Sequence, residues 1–147
     1  MVEIISSKEG LDGGMVELAN IFYHEECSKN LITLDEIKEQ FDKYKNFKLF
    51  VIRQDGKTVS MAGINIFDVS FSRKPSAWIS RAITNPNFRG KYYAQQIMEE
   101  AIKYAKEAGC GQVMLDSAND ERRIAAHKLY RKLGFEWDNN SFFEMYF

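Results

Sequence analysis

Cysteine is scarce in this chain of 147 residues, which has two, Cys27 and Cys110. Neither sits in a spacing that suits a metal, so they read as reduced thiols, and no metal site is expected. Proline is equally scarce, at Pro75 and Pro86. No linker, repeat or low-complexity tract divides the sequence, so one domain over residues 1–147 is expected. Charge of one sign is also missing: Lys plus Arg number 20 against 21 Asp plus Glu. That balance speaks against general nucleic-acid binding, which shows as a basic excess; a local basic pocket stays open. No apolar run approaches the ~20 residues that cross a bilayer. The first residues, Met1 to Ser7, are too short and too acidic a stretch for a signal peptide. The expectation is a cytoplasmic protein without a membrane partner. What the chain does have is apolar content, 45% hydrophobic and 14% aromatic residues, enough for a full core.

Periodicity sets the elements. Val2–Ser6 is a short strand candidate. Met15, Leu18, Ala19 and Phe22 have helix spacing after Gly13 and Gly14. Thr33-x-x-Glu36 is a capping-box pattern, followed by the stripe Leu34, Ile37, Phe41 and Tyr44. Phe47–Ile52 and Thr58–Phe67 flank Gln54-Asp55-Gly56-Lys57, where Asp-Gly predicts a hairpin. Ser76–Thr84 is a third strand. A helix runs from about Tyr92 to Ala108 and stops at Gly109. Gln112–Leu115 reads as a buried strand, 120–133 as a helix ending before Gly134, and Phe142–Phe147 as a last strand. The order is β-α-α-β-β-β-α-β-α-β. It predicts an α/β fold with a partly parallel mixed sheet and helices on both faces.

Between the third strand and the long helix lies Pro86-Asn87-Phe88-Arg89-Gly90-Lys91-Tyr92-Tyr93-Ala94. A helix start offers backbone N–H groups and the positive end of the dipole, which suits a phosphate. Arg89 and Lys91 add two cations. Read alone, the segment is a phosphate site or a polar loop with an ordinary helix start.

Two segments carry a resemblance. Arg89-Gly90-Lys91-Tyr92-Tyr93-Ala94 is similar to the loop written Arg/Gln-x-x-Gly-x-Gly/Ala. Residues Arg123 to Phe135 contain Ala126-His127-Lys128-Leu129-Tyr130 and end in Leu133-Gly134-Phe135. Together, and in this order, they resemble the GNAT superfamily of N-acetyltransferases, in its small-molecule, Ala-His-x-x-Tyr variant. The element order resembles it along nearly the whole chain. One position departs: Tyr92 stands where the family has its first glycine. Its N–H still donates, but its ring must point away from the phosphate or stack on another part of the cofactor.

The resemblance implies site roles. Arg89, Gly90, Lys91, Tyr92, Tyr93 and Ala94 would hold the diphosphate of acetyl-CoA. Main-chain groups of Ala82, Ile83 and Thr84 would meet its pantetheine arm where the strand splays from Gln112–Leu115, and one N–H would hold the oxyanion. Ala126 and Tyr130 share a helix face, and the Tyr130 phenol would protonate the departing thiolate; outside the motif it reads as a core aromatic. Asn119 would bond the pantetheine amides, or Asn119 or Asp120 caps the helix. His127 bonds the cofactor or braces its helix. Many relatives carry a Glu base on the fourth strand, where this chain has Ser80 and Arg81. Asp116 is one alternative base, and a water chain to solvent is another. Tyr23, Glu26 and Ser80 are candidates for the acceptor side, with Glu25 and Asp68 nearby in the pattern; acidic groups there would attract a cationic amine.

The expected activity is transfer of an acetyl group from acetyl-CoA to a primary amine of a small molecule, by direct attack. Acceptors on proteins are a second option, and a non-catalytic acyl-CoA-binding sensor is the rival class. Dimers are frequent in the superfamily, which leaves a homodimer open without settling the oligomeric state.

Overall fold

The computed structural model describes residues 1–26, 31–138 and 143–147, the side chains of 22–26 excepted. Two compact units emerge, Met1–Asp116 and Ser117–Phe147.

The first unit is built on a five-stranded sheet: β1 (Glu3–Ile5), β2 (Phe47–Gln54), β3 (Lys57–Phe67), β4 (Ser76–Thr84) and β5 (Gln112–Met114), ordered 1-2-3-4-5. The first four strands pair antiparallel and β5 joins β4 in parallel. The β2–β3 turn forms at Asp55-Gly56 as predicted. Both residues are left-handed, with φ 51° and 76°, the type I′ geometry that matches strand twist.

Three helices complete this unit: α1 (Gly13–Glu26), α2 (Leu34–Lys43) and α3 (Tyr93–Glu107). The predicted capping box starts α2: the Thr33 hydroxyl accepts from the Glu36 N–H at 3.2 Å, and the Glu36 carboxylate accepts from the Thr33 N–H at 2.8 Å. Apolar residues alternate along the strands, so each sheet face buries a different helix set. Leu49, Val51 and Met61 cluster with Met15, Leu18 and Phe41 of α1 and α2. On the opposite face, Phe50 meets Tyr104 of α3 edge-on, with ring centroids 5.6 Å apart. Ile97, Met98, Ala101 and Ala105 of α3 are buried. Helices on both faces are therefore observed.

One polar group ties α1 to the sheet. An Asp12 carboxylate oxygen accepts from the Gly14 and Met15 N–H groups at 2.8 and 3.2 Å, capping the helix. The other oxygen accepts from the Thr58 hydroxyl at 2.8 Å and from Arg53 Nε at 3.1 Å. Burial pushes the Asp12 carboxyl up, but the bonds from Thr58, Arg53 and the backbone outweigh it and hold it below its ordinary value. Gly14 sits directly over β3. A Cβ there would lie 2.2 Å from the Thr58 carbonyl oxygen, so only glycine lets the helix approach this closely.

The predicted buried strand at Gln112–Leu115 is shorter and only half-buried, because β5 ends the strand order and ladders with β4 over three residue pairs. Cys110, just before it, carries a free thiol whose pKa burial pushes up. Cys27 lies outside the described residues.

In the second unit a 3₁₀ turn (Glu121–Arg123) leads into α4 (Ile124–Lys132). The single helix expected over 120–133 thus opens with a tighter turn. Asp120 causes it: its side chain accepts from the Arg122 N–H at 2.9 Å, and its carbonyl from the Arg123 N–H at 3.0 Å. Of the expected last strand, Phe142 lies outside the described residues, and 143–147 form no strand. Alternation in sequence makes a strand only where a neighbour supplies the ladder bonds, and among the described residues none does so there.

Candidate active site

The segment joining β4 to α3 is a sequence of tight turns. Asn85 starts it: its side chain accepts from the Asn87 N–H at 3.0 Å, closing a 3₁₀ turn over Pro86–Phe88. Gly90 and Tyr92 both adopt left-handed backbone, with φ 78° and 62°. Alternating hands of this kind turn successive N–H groups to one side, a geometry that favours anions. Tyr92 is the residue before α3 and caps it with no side-chain bond, and the first turn of α3 holds no acidic residue. By contrast α2 begins with its capping box, Asp35 and Glu36. Lys91 Nζ lies 5.3 Å from the centre of the Phe88 ring, which keeps a cation beside the turn. Tyr92 is 73% exposed, so its ring stands in solvent rather than filling the concavity.

The end of β4 is irregular. Met61 pairs with Ile83 but Gly63 with Ser80, so Arg81 and Ala82 together face Ala62. This is a β-bulge, and Arg81 takes φ 54°. Pairing of β4 with β5 stops at Trp78 and Met114, whereas its pairing with β3 continues to Thr84. On its β5 side, Ile79–Thr84 therefore has no ladder partner among the described residues, because β5 ends at Met114, and this stretch contains Ala82, Ile83 and Thr84.

Within the second unit, His127 Nε2 lies 3.0 Å from the Ser117 hydroxyl. Its ring stands 6.4 Å from those of Tyr130 and Trp137, and Tyr130 meets Phe135 edge-on at 6.0 Å. The aromatic cluster fixes α4 against the residues that follow it. Tyr130 and His127 are half-buried, as is Ala126. Asp120, not Asn119, is the cap, and Asn119 is exposed. The Arg122 guanidinium beside Asp120 holds that carboxyl below the usual range.

The sequence model of the acetyltransferase (GNAT) family matches residues 15–135. The chain belongs to that family. No curated protein matches it by sequence. Solved structures agree on the fold. An Agrobacterium tumefaciens protein assigned as an acetyltransferase superposes with a TM-score of 0.81 at 24% identity, over 99% of both chains. Glucosamine-6-phosphate N-acetyltransferase from Arabidopsis thaliana gives 0.79 at 18%, also over 99% of both. A predicted acetyltransferase with acetyl-CoA from Clostridium acetobutylicum gives 0.76 at 16%, over 99% of this chain and 96% of that one.

Several expected GNAT site residues fall in one place in the first unit. Ala82, Ile83 and Thr84 end β4, and Arg89 to Ala94 follow within the turns and the start of α3. Ser80 lies across from Gly63, on the sheet face that α1 covers. Asp116 is exposed, two residues beyond β5. Tyr23 and Glu26 lie in the last turns of α1, and their side chains are outside the described residues. An open cleft of about 360 Å³ lined by residues 72–76, Gly111 and Gln112 lies at the first end of β4. At about 3.3 Å per residue it is roughly 25 Å from the turns at the other end, so it is not part of this GNAT site. No group of three or more His, Cys, Asp or Glu gathers among the described residues. No described helix is long and apolar enough to cross a membrane.

Sequence reading missed the residues that hold the turns from outside. The Ser60 hydroxyl is buried and lies 2.7 Å from that of Thr84. Gln54 Nε2 donates to the Tyr93 hydroxyl at 2.8 Å. The one available signal was a serine set among Val59, Met61 and Ala62, because a buried hydroxyl needs a partner.

Proposed function

We propose that this GNAT protein transfers an acetyl group from acetyl-CoA to a primary amine of a small molecule. The observation that carries this reading is the bare start of α3, with no side-chain cap, no acidic residue in its first turn, and Arg89 and Lys91 just before it. Such an end attracts a dianion through its N–H groups and dipole. The turn also has room: a Cβ at Gly90 would meet nothing within 4 Å, and the Tyr92 ring is in solvent. Acetyl-CoA supplies the activated acetyl group and the diphosphate to be held.

Residues Arg89 to Ala94 grip that diphosphate and so orient the thioester; orientation alone supplies much of the acceleration. A main-chain N–H among Ala82–Thr84 stabilises charge on the carbonyl oxygen, beside the bulge at Arg81. Tyr23, Glu26 and Ser80 are assigned to the acceptor side from the sequence. Asp116, exposed to solvent, takes the proton that the acceptor ammonium must lose before its nitrogen attacks. As the carbon–nitrogen bond forms and the carbon–sulfur bond breaks, the Tyr130 phenol gives its proton to the sulfur and regains one from solvent. Asn119, Ala126 and His127 are assigned to the pantetheine arm on the strength of their motif.

A thiol-release assay with acetyl-CoA and a panel of polyamines, amino sugars and amino acids tests the proposal. At least one amine is expected to release CoA thiol at a rate that saturates in both substrates. Ser80 and Arg81, in place of a fourth-strand carboxylate, favour a second reading as a non-catalytic acyl-CoA sensor. Saturable acetyl-CoA binding without thiol release on any amine would establish that one.

A further inference from the structure

The β2–β3 hairpin touches the β4–α3 turns at both of their ends. At the near end, two successive residues of β3 meet two successive residues of the chain leaving β4. The Ser60 hydroxyl lies 2.7 Å from that of Thr84, and the Val59 carbonyl accepts from the Asn85 N–H at 2.8 Å. The second contact carries the β3–β4 ladder one residue past Ser60 and Thr84, beside an irregularity in β3. Ser60 pairs with Ile52 but Thr58 with Arg53, so Val59 is an extra residue in the ladder. The bulge lies on the β2 side of β3, so the ladder toward β4 runs on through Val59 to its bond with Asn85. At the far end, Gln54, the last residue of β2, donates to the Tyr93 hydroxyl at 2.8 Å, where α3 begins.

These contacts have no evident purpose in packing. Ser60 is 1% exposed and its hydroxyl meets that of Thr84 across the strand pair, so a buried polar group is committed to the end of β4. Gln54 is exposed, and an exposed hydrogen bond adds little to global stability. Both do fix the span between Thr84 and Tyr93. That span contains every left-handed turn residue of the expected diphosphate loop, Gly90 and Tyr92. A concave row of N–H groups binds an anion well only when its ends cannot drift apart, because otherwise binding must also order the loop.

We propose that the β2–β3 hairpin is the frame of the diphosphate loop, with Ser60 and Gln54 as positioning residues that hold its two ends. The inference rests on the acetyl-CoA reading given above. It also extends the binding determinants beyond the Arg89–Ala94 motif, to a hairpin that carries none of the motif's residues.

The test is acetyl-CoA titration of the full chain by calorimetry, alongside steady-state kinetics with the best amine of the panel. Gln54→Ala and Ser60→Ala are each expected to raise the dissociation constant and KM for acetyl-CoA by roughly three- to tenfold. Turnover at saturation should stay within about twofold, since no reacting atom is touched. Gln54→Glu restores tight binding, because its carboxylate can accept from the Tyr93 hydroxyl. The pair Gln54→Ala and Tyr93→Phe should bind no more weakly together than the weaker of the two singles, as expected for partners in one contact. Gln54 is exposed, so its variants remain informative even if Ser60→Ala folds poorly. Wild-type affinity in both Gln54→Ala and Ser60→Ala, with the wild-type chain binding acetyl-CoA, would overturn the frame and leave the cofactor reading intact. A wild-type chain that binds no acetyl-CoA would overturn both.

Discussion

Tyr130→Phe is expected to lower turnover by about a hundredfold or more while leaving acetyl-CoA affinity within about twofold. A positioned general acid contributes typically 10²–10⁴ in rate, and the change removes one oxygen only. The ring itself is retained, so its edge contact with Phe135 at 6.0 Å, and the helix it steadies, should survive. An alkylthiolate leaves less readily than a thiol, so loss of the proton donor should fall on turnover rather than on binding. Rapid-quench or thiol-release kinetics at saturating acetyl-CoA measure the effect, and calorimetry measures the affinity. An unchanged rate would remove Tyr130 from the reaction and return it to the aromatic cluster of α4 as a packing residue.

Gly14→Ala is expected to cost the fold about 3 kcal/mol or more, a large part of the 5–15 kcal/mol that holds a typical domain together. The new methyl would lie 2.2 Å from the Thr58 carbonyl oxygen and 2.7 Å from its nitrogen, both backbone atoms that cannot rotate away. Helix α1 would have to rise off β3 and strain the Asp12 bonds to Thr58 and Arg53. The melting midpoint should fall by roughly 10 °C. Gly13→Ala is the control. A Cβ there would meet nothing within 4 Å, and alanine is the better helix former, so stability should hold or rise by up to about 1 kcal/mol. Thermal unfolding of the two variants side by side separates close approach from helix propensity. Equal midpoints would contradict the account of how α1 meets the sheet.

The parts of this molecule that were legible in the sequence are those governed by neighbours along the chain. The Thr33–Glu36 box and the Asp55-Gly56 turn each lie within four residues, and each formed as read. The stripes Met15, Leu18, Ala19 and Leu34, Ile37, Phe41 gave the core faces of α1 and α2 for the same reason. The turn from β4 into α3 was legible from the strand and helix patterns on either side of it; Gly90 suits its left-handed backbone, whereas Tyr92 takes one against its residue type. What stayed hidden depends on contacts across long separations. Asp12 meets Arg53 and Thr58 at sequence distances of 41 and 46, and no local pattern marks such a partner. The bulges at Val59 and Arg81 were equally silent, because registers between strands are set by both strands at once. Arg81 at φ 54° runs against local preference outright; tertiary structure imposes it beside the candidate site. The choice between Asn119 and Asp120 as cap needed coordinates, since either side chain can serve.

The central claim is that main-chain N–H groups at the start of α3 hold the diphosphate of acetyl-CoA. Amide resonances of a ¹⁵N-labelled chain, followed while acetyl-CoA is added, test it most directly. The account predicts large, saturable shifts at Gly90, Lys91, Tyr92, Tyr93 and Ala94, reproduced by CoA and absent with acetyl-pantetheine, which lacks the diphosphate. Saturable binding reported elsewhere in the chain, with those five amides unmoved, would contradict it.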